Sequence, residues 1–113
     1  MEKVKVVFSK AAFEVYKQLV ESAKHSKVDR SILRAINHKK ELIKLDKHYG
    51  QPIKRRLIPK EYKNHGIRSM FRVGLPNFWR MHYTLGDDEN MVEIVAFVID
   101  IVDHKDYNKI LGY

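Results

Sequence analysis

Cysteine is absent from this sequence, and proline and glycine are scarce. The chain has 113 residues, with no Cys, three Pro and five Gly. Without cysteine there can be no disulfide and no thiolate metal site, a composition that favours an intracellular protein. No internal repeat, low-complexity tract or Pro/Gly/Ser-rich linker interrupts the chain. We therefore expect residues 1–113 to form a single domain.

Long hydrophobic runs are also missing. No apolar stretch approaches the roughly 20 residues that a membrane-spanning helix needs. The first ten residues, MEKVKVVFSK, alternate charged and apolar side chains and have no signal-peptide hydrophobic region. Hydrophobic residues still make up 44% of the chain, enough for a core. The expectation is a soluble cytoplasmic protein without a membrane partner.

Positive charge is concentrated in the middle of the chain. The formal net charge is +8, and residues 54–72 contain seven Lys or Arg against one Glu. Residues 73–113 are acidic by contrast, with three Lys or Arg against seven Asp or Glu. A dense positive segment attracts polyanions and speeds their encounter. It therefore favours nucleic acid or an acidic protein as partner, and a solvated basic surface is the simpler alternative.

The first half of the chain predicts a strand followed by two helices. Residues 4–8, VKVVF, are mostly β-branched and alternate weakly, which is typical of a strand. Ser9 can cap the next helix, in which apolar residues recur at three- and four-residue steps up to Ala23. A second helix with the same spacing begins near Ser26 or Asp29. Because few residues join the two helices, we expect an antiparallel hairpin.

The second half predicts three antiparallel strands after an irregular segment, residues 53–66. Residues 67–73 and 78–85 alternate apolar and polar side chains, and residues 91–102 are apolar on both faces, as in a central strand. The first strand should pair beside the last, which needs neighbours on both edges. The expected fold class is α+β, a two-layer sandwich (β-α-α-β-β-β). Its helical hairpin covers one face of an antiparallel sheet, and the other face stays open.

Basic side chains gather on the face that is predicted to be open. If Trp79 faces the helices, then Arg80 and His82 point the other way, with Arg68 and Arg72 on the neighbouring strand. A wet strand face normally carries polar residues, which explains any one of these side chains. Like charges on neighbouring strands destabilise a sheet, and the pattern places no carboxylate among these four. We therefore expect an anion, or water in a groove, at this face.

The end of the last strand carries a second reactive group of side chains. The apolar run leads directly into IVDHKDYNKI, so His104, Lys105 and Tyr107 lie within four residues. A solvated C-terminal tail is one interpretation. An active site at the end of a central strand is the other.

Two of these stretches resemble the RelE/ParE superfamily of toxins from toxin–antitoxin modules. NFWRMHYTL is similar to the family's third strand, in which an aromatic-Arg-aliphatic-x-Tyr pattern recurs. AFVIDIVDHKDYNKI is similar to the last strand and the His-basic-x-Tyr segment after it, as in the HigB-like branch. The order of helices and strands also matches, so the resemblance implies a RelE-like fold.

The resemblance implies a type II toxin that cuts messenger RNA, often on the ribosome, and so inhibits translation. Such an mRNA endoribonuclease needs no metal or other cofactor, and its protein partner is a cognate antitoxin. The implied reaction is attack of a ribose 2′-OH on the adjacent phosphate. It requires a base for the hydroxyl, cations for the charge of the transition state and an acid for the leaving oxygen.

The resemblance also implies a role for each matching residue. Arg80 is the expected ligand of the phosphate or the transition state, because a guanidinium binds phosphate bidentately and stays charged. His104 is the expected acid or base, Lys105 a phosphate contact, and Tyr107 a residue that stacks on a base or handles a proton. Independently of the resemblance, the strand-face pattern adds Arg68, Arg72 and His82 as expected RNA-binding residues. The positive charge of the middle segment adds five more, either as an approach for RNA or as the docking surface for an acidic antitoxin: Lys54, Arg55, Arg56, Lys60 and Lys63.

Other functions stay open at this point. Many ribonucleases of the family carry arginine where this chain has Lys105. ParE-type members bind DNA gyrase and cut no RNA, and a basic domain could also hold nucleic acid or a partner chain without catalysis. The acidic residues 87–89, or Asp100 and Asp103 with His104, are weaker candidates for a metal site.

Overall fold

The computed structural model describes residues 3–87 and 93–103, with the side chains of 87, 93–97 and 99 set aside. These residues form an α+β fold, which confirms the predicted class. Five strands form one sheet in the order β1-β5-β4-β3-β2; β1 runs parallel to β5, and all other neighbours are antiparallel. The elements are β1 Lys3–Phe8, α1 Lys10–Ser22, α2 Lys27–Leu45, β2 Gln51–Pro52, α3 Lys60–Asn64, β3 Phe71–Gly74, β4 Arg80–Asp87 and β5 Glu93–Val102.

The two long helices begin at serine caps, as the sequence predicted. The Ser9 hydroxyl accepts the N–H of Ala12 at 3.0 Å, and the Ser26 hydroxyl accepts the N–H of Asp29 at 3.2 Å. Each such cap stabilises a helix by about 1 kcal/mol. No helix among the described residues is long and apolar enough to cross a membrane. The side chains that α1 and α2 bury completely or nearly so are Ala12, Leu19, Ile32, Ile36 and Ile43.

The helices pack on one face of the sheet and form the main core there. Met81 and Tyr83 of β4 are fully buried against them, and Trp79 and Leu85 are partly buried in the same cluster. The predicted alternation of residues 78–85 is therefore confirmed, although β4 itself begins only at Arg80. The other strands contribute Phe71, Val73, Val98 and Ile101 to this core.

The second face of the sheet is not open, contrary to the expectation. The chain between β2 and β3 folds over it and forms a smaller core, in which Ile58 is 3% and Met70 1% exposed. Ile53, Tyr62 and Ile67 pack around these two residues. Because the apolar residues of this stretch follow neither a helical nor a strand period, the sequence showed only irregularity. The short helix α3 was not predicted, and β3 begins at Phe71, four residues later than the predicted strand.

The segment between β2 and β3, which covers the second face, is called the second layer below. A β-bulge in β5 determines which side chains face it. In the pairing of β4 with β5, His82 lies opposite Asp100 and Tyr83 opposite Val98, so the register shifts by one residue between them. The extra residue lets Val98 and Ile101 both reach the main core, while Asp100 stays on the face of His82. The bulge therefore places the polar side chain of Asp100 opposite His82 and away from the main core.

The turn before β2 is anchored by Tyr83. Its hydroxyl donates to the carbonyl of Lys47 at 2.8 Å and accepts the N–H of Gly50 at 2.9 Å. A Cβ atom at Gly50 would lie 2.9 Å from Cε1 of Tyr83 and 3.0 Å from Cβ of Phe71. The backbone can approach the core this closely only because residue 50 has no side chain. This contact fixes where the chain enters the second layer.

Candidate nucleic-acid interface

An exposed basic segment covers part of the second face. We define the basic segment as residues 54–63, which include a short 3-10 turn at Arg55–Leu57 and most of α3. Its five cations are exposed, and Glu61 is its one acidic residue. Their charges therefore face solvent, where they can attract and contact an anionic chain. The five cations are the predicted Lys54, Arg55, Arg56, Lys60 and Lys63.

The basic segment is tied to the sheet by buried contacts. Ile58 anchors it in the smaller core, and the N–H of Ile53 donates to the carbonyl of Met70 at 2.9 Å. The hydroxyl of Tyr62, on α3, donates to Oδ2 of Asp100 at 2.5 Å. This hydrogen bond joins the segment to the central strand β5.

Asp100 continues the connection to β4. Its Oδ1 lies 2.6 Å from Nδ1 of His82, and the exposed fractions of His82 and Asp100 are 0% and 5%. Burial, and then the charge of Asp100, raise the pKa of Tyr62, so the phenol keeps its proton and donates it. An ionised carboxylate only accepts hydrogen bonds, so the imidazole nitrogen facing it must carry a hydrogen. Tyr62, Asp100 and His82 thus form one hydrogen-bond chain, which we call the buried chain.

The buried chain corrects two expectations from the sequence. His82 was expected to bind RNA on an open face, but its side chain is sealed beneath the second layer and cannot touch a bound polymer without an opening of the fold. A carboxylate was not expected on this face, yet Asp100 pairs with His82. The available signal was the single acid, Asp100, within the apolar run 94–102, but only the bulge places it opposite His82.

The arginines of the sheet flank the buried chain. Arg72 lies opposite His82 in the pairing of β3 with β4, and Arg80 precedes His82 by two residues on the same strand. Both arginines are half-buried, and Arg68 is exposed just before β3. The guanidinium of Arg72 donates to Oε1 of Gln51 at 2.5 Å, and that of Arg80 donates to the carbonyl of Trp79 at 2.9 Å. Arg72 and Arg80 thus share the sheet face on which the basic segment lies.

The three predicted catalytic residues after β5, namely His104, Lys105 and Tyr107, lie outside the described residues. The register nevertheless gives the position from which they start. Val102, the last residue of β5, lies opposite Arg80. The chain therefore leaves the sheet beside Arg80, two residues before His104.

A strained turn precedes Arg80. Asn77 and Phe78 have φ angles of 58° and 65°, values that are uncommon for residues other than glycine and costly for a bulky side chain. Phe78 is 69% exposed although its neighbour Trp79 packs against the core. The alternating pattern gave no sign of this strain, because it counted residue 78 as part of the strand.

Metal ligation finds no ready site in the part of the chain described. Among residues 3–87 and 93–103, no group of three or more His, Cys, Asp or Glu side chains is placed to hold an ion. The described residues instead present cations on one face of the sheet. Such cations suit the binding of phosphate groups.

Comparison with known proteins gives a likeness in fold. No family model matches the sequence, and no curated protein matches it. Among solved structures, the chain is similar to the E. coli toxin RelE, in a double arginine-to-alanine mutant in the free state. The two share 14% identity, the match covers 99% of this chain and 97% of RelE, and the TM-score is 0.52. At this identity the likeness concerns architecture, and the chain has a RelE-like α+β fold.

Proposed function

We propose that this protein is a toxin of the type II toxin–antitoxin kind that acts as a metal-independent RNA endonuclease. The observation that carries the proposal is the exposed basic segment, which lies on the same sheet face as Arg72 and Arg80. The RelE-like fold supports it, because the solved structure similar to this chain is that of a toxin. Messenger RNA, free or on the ribosome, is the proposed substrate.

The basic segment supplies the first contact with the substrate in this proposal. Single-stranded RNA carries a negative charge on every phosphate and releases counterions when cations replace them. Five exposed cations within ten residues offer several contacts to the phosphates of such a backbone. Arg68 and Arg72 are proposed as further phosphate contacts.

Arg80 acts at the scissile phosphate. Its guanidinium is permanently charged and can hold two oxygens of the pentacovalent transition state. The 2′-OH attacks the phosphorus, the bond to the 5′-oxygen breaks, and a 2′,3′-cyclic phosphate forms. One group must take the proton of the 2′-OH and another must protonate the leaving 5′-oxygen. His104 and Tyr107 are proposed for these proton transfers and Lys105 for a phosphate contact, since their segment starts beside Arg80.

A cognate antitoxin is the proposed protein partner. The basic segment would be occupied by acidic side chains of that partner, which would block access of RNA. Co-purification of this chain with the product of a neighbouring short reading frame, followed by light scattering, tests the pairing. A monomer that does not associate with that product contradicts it.

The activity is tested by incubating the purified protein with single-stranded RNA in EDTA, with and without ribosomes. We expect cleavage products that end in a 2′,3′-cyclic phosphate. Loss of growth on expression, combined with altered DNA supercoiling and intact RNA, would instead identify a gyrase inhibitor. Neither effect, with the protein folded, would leave a basic binding domain.

A further inference from the structure

We propose that Tyr62, Asp100 and His82 are positioning residues whose buried hydrogen-bond chain locks the basic segment onto the sheet. The lock keeps two groups of cations in a fixed relative position, one group on the segment and one on strands β3 and β4. That the locked arrangement serves RNA rests on the proposed function. The lock itself does not depend on it.

The geometry of the buried chain is that of a cross-link between distant parts of the sequence. Tyr62 and Asp100 are 38 residues apart, and Asp100 and His82 are 18 apart. Each carboxylate oxygen of Asp100 serves a different partner, so rotation of the carboxyl group would break both bonds. The buried chain therefore connects α3, β5 and β4, because Tyr62 and His82 share Asp100 as their partner.

The composition of the buried chain is unexpected if its role is stability alone. A histidine and a carboxylate that are almost fully buried lose their hydration, and well-packed apolar residues in their place are often neutral or stabilising. A hydrogen-bond chain adds orientational specificity, because its hydrogen bonds are all formed in only one arrangement of its members. Such specificity matters where a surface element with little regular structure must be held in register with the sheet.

The basic segment is such an element. Residues 54–63 contain only short turns of helix, and Ile58 is their one buried side chain among the residues described. Lys60 and Lys63 lie on α3, on either side of Tyr62 in sequence, so the tyrosine hydroxyl fixes the helix that carries them. On the sheet, His82 lies opposite Arg72 and two residues from Arg80. The two ends of the buried chain thus lie at the two groups of cations.

Loss of the tyrosine hydroxyl should release the segment and leave the main core intact. Tyr62→Phe keeps the ring that packs beside Ile58 and Met70 and removes only the donor to Asp100. The rest of the fold keeps its own contacts on the opposite face. The expected defect is therefore local opening of the segment, not global unfolding.

Limited trypsin digestion measures this opening directly, because the segment contains five cleavage sites. Under native conditions, the first cuts within the basic segment should appear roughly tenfold faster in Tyr62→Phe than in the wild type. Tyr16→Phe is the matched control, since it removes a tyrosine hydroxyl bonded to Asn37 at 2.8 Å in the helical hairpin. Ile36→Val controls for a general loss of stability in the main core. Both controls should be cut in the segment at the wild-type rate.

RNA binding and turnover give the second measurement. If the segment and the sheet bind one strand together, Tyr62→Phe should raise KM by roughly tenfold and change kcat by less than about threefold, because the lost preorganisation affects ground state and transition state alike. Asp100→Asn should give an intermediate effect, since its amide oxygen can still accept one of the two hydrogen bonds. If these residues only stabilise the fold, the variants should yield less active protein than the wild type, and their KM should equal the wild-type KM.

The outcomes separate the lock from the proposed function. Faster cutting in the segment together with a raised KM supports both. Faster cutting in a protein whose wild type neither binds nor cleaves RNA supports the lock and contradicts the proposed function. Segment cleavage at the wild-type rate in Tyr62→Phe, or equal acceleration in Ile36→Val, overturns the lock.

Discussion

Nδ1 of His82 lies 2.6 Å from Oδ1 of Asp100, and this pair faces away from the helices. Val98 and Ile101, the core residues of β5 before and after Asp100, both face toward the helices. A β-bulge between the two strands makes this possible. The pair joins two central strands on the side where the basic segment lies. It is thus at once part of the sheet and part of the candidate site.

Removal of the carboxylate should be strongly destabilising. In Asp100→Ala, the hydroxyl of Tyr62 and Nδ1 of His82 both lose the acceptor that they share, so the free energy of unfolding should fall by about 2–4 kcal/mol. Glu14→Ala is the control, because its ion pair with Lys17 is exposed and should contribute less than about 1 kcal/mol. Urea denaturation measures both. Similar midpoints for the two variants would show that Asp100 is not structurally important.

Alkaline pH should weaken the fold through Tyr62, which is partly buried, and Tyr83, which is fully buried. Burial raises the pKa of Tyr62 and of Tyr83 above the ordinary value of 10.0, so the folded protein holds phenolic protons that the unfolded chain releases. Their contribution to stability is complete below pH 10 and is lost progressively as pH rises beyond it. Chemical denaturation between pH 8 and 11 checks the slope.

Substitution identifies the residues responsible for that slope. Tyr62→Phe, and still more the double variant with Tyr83→Phe, should lower stability at neutral pH but lose less of it above pH 10. A wild-type slope in the double variant contradicts the assignment.

Much of the fold could be predicted from the sequence, because local chemistry decides it. The serines before α1 and α2, the helical spacing of the apolar residues and the alternation through β4 each specify an element without help from distant residues. The pairing of β1 with β5 followed from the length and apolar character of β5. These patterns also carried the resemblance that predicted a RelE-like fold.

The second layer could not be predicted, because nothing local specifies it. Ile58 is buried, and Ile53 and Ile67 are partly buried, in the smaller core, and their spacing fits no period. The burial of His82 depends in turn on this layer and on a bulge in a different strand. The exposed cations of the basic segment were predicted, but the residues that hold them were not.

Gly50 should tolerate no side chain. In Gly50→Ala, the new Cβ would lie 2.9 Å from Cε1 of Tyr83 and 3.1 Å from the carbonyl oxygen of Arg72, so the free energy of unfolding should fall by about 1–3 kcal/mol. Gly74→Ala is the control, since nothing lies within 4 Å of a Cβ at that position. Thermal denaturation compares the two. Equal stability of both variants would show that the turn before β2 can move away from Tyr83.

The salt dependence of RNA binding should report the basic segment. Replacing Arg55 and Arg56 together by alanine should reduce the slope of log K against log salt by about 1.4, or about 0.7 for each lost phosphate contact with a single strand. The control replaces Lys27 and Arg34, which are exposed on α2 in the helical layer. That variant has the same net charge but should keep the wild-type slope. Equal slopes for the two variants would mean that RNA is attracted by total charge and not by this segment.

Cleavage of single-stranded RNA in EDTA by Arg80→Ala, compared with Arg34→Ala, tests the central claim most directly. Arg80 lies on the sheet face of the basic segment, opposite the last residue of β5, whereas Arg34 is exposed on α2. We expect Arg80→Ala to reduce kcat by about a hundredfold or more without lowering the midpoint of urea denaturation, and Arg34→Ala to cleave at the wild-type rate. Cleavage by folded Arg80→Ala at the wild-type rate would contradict the proposal that this face of the sheet is the catalytic one.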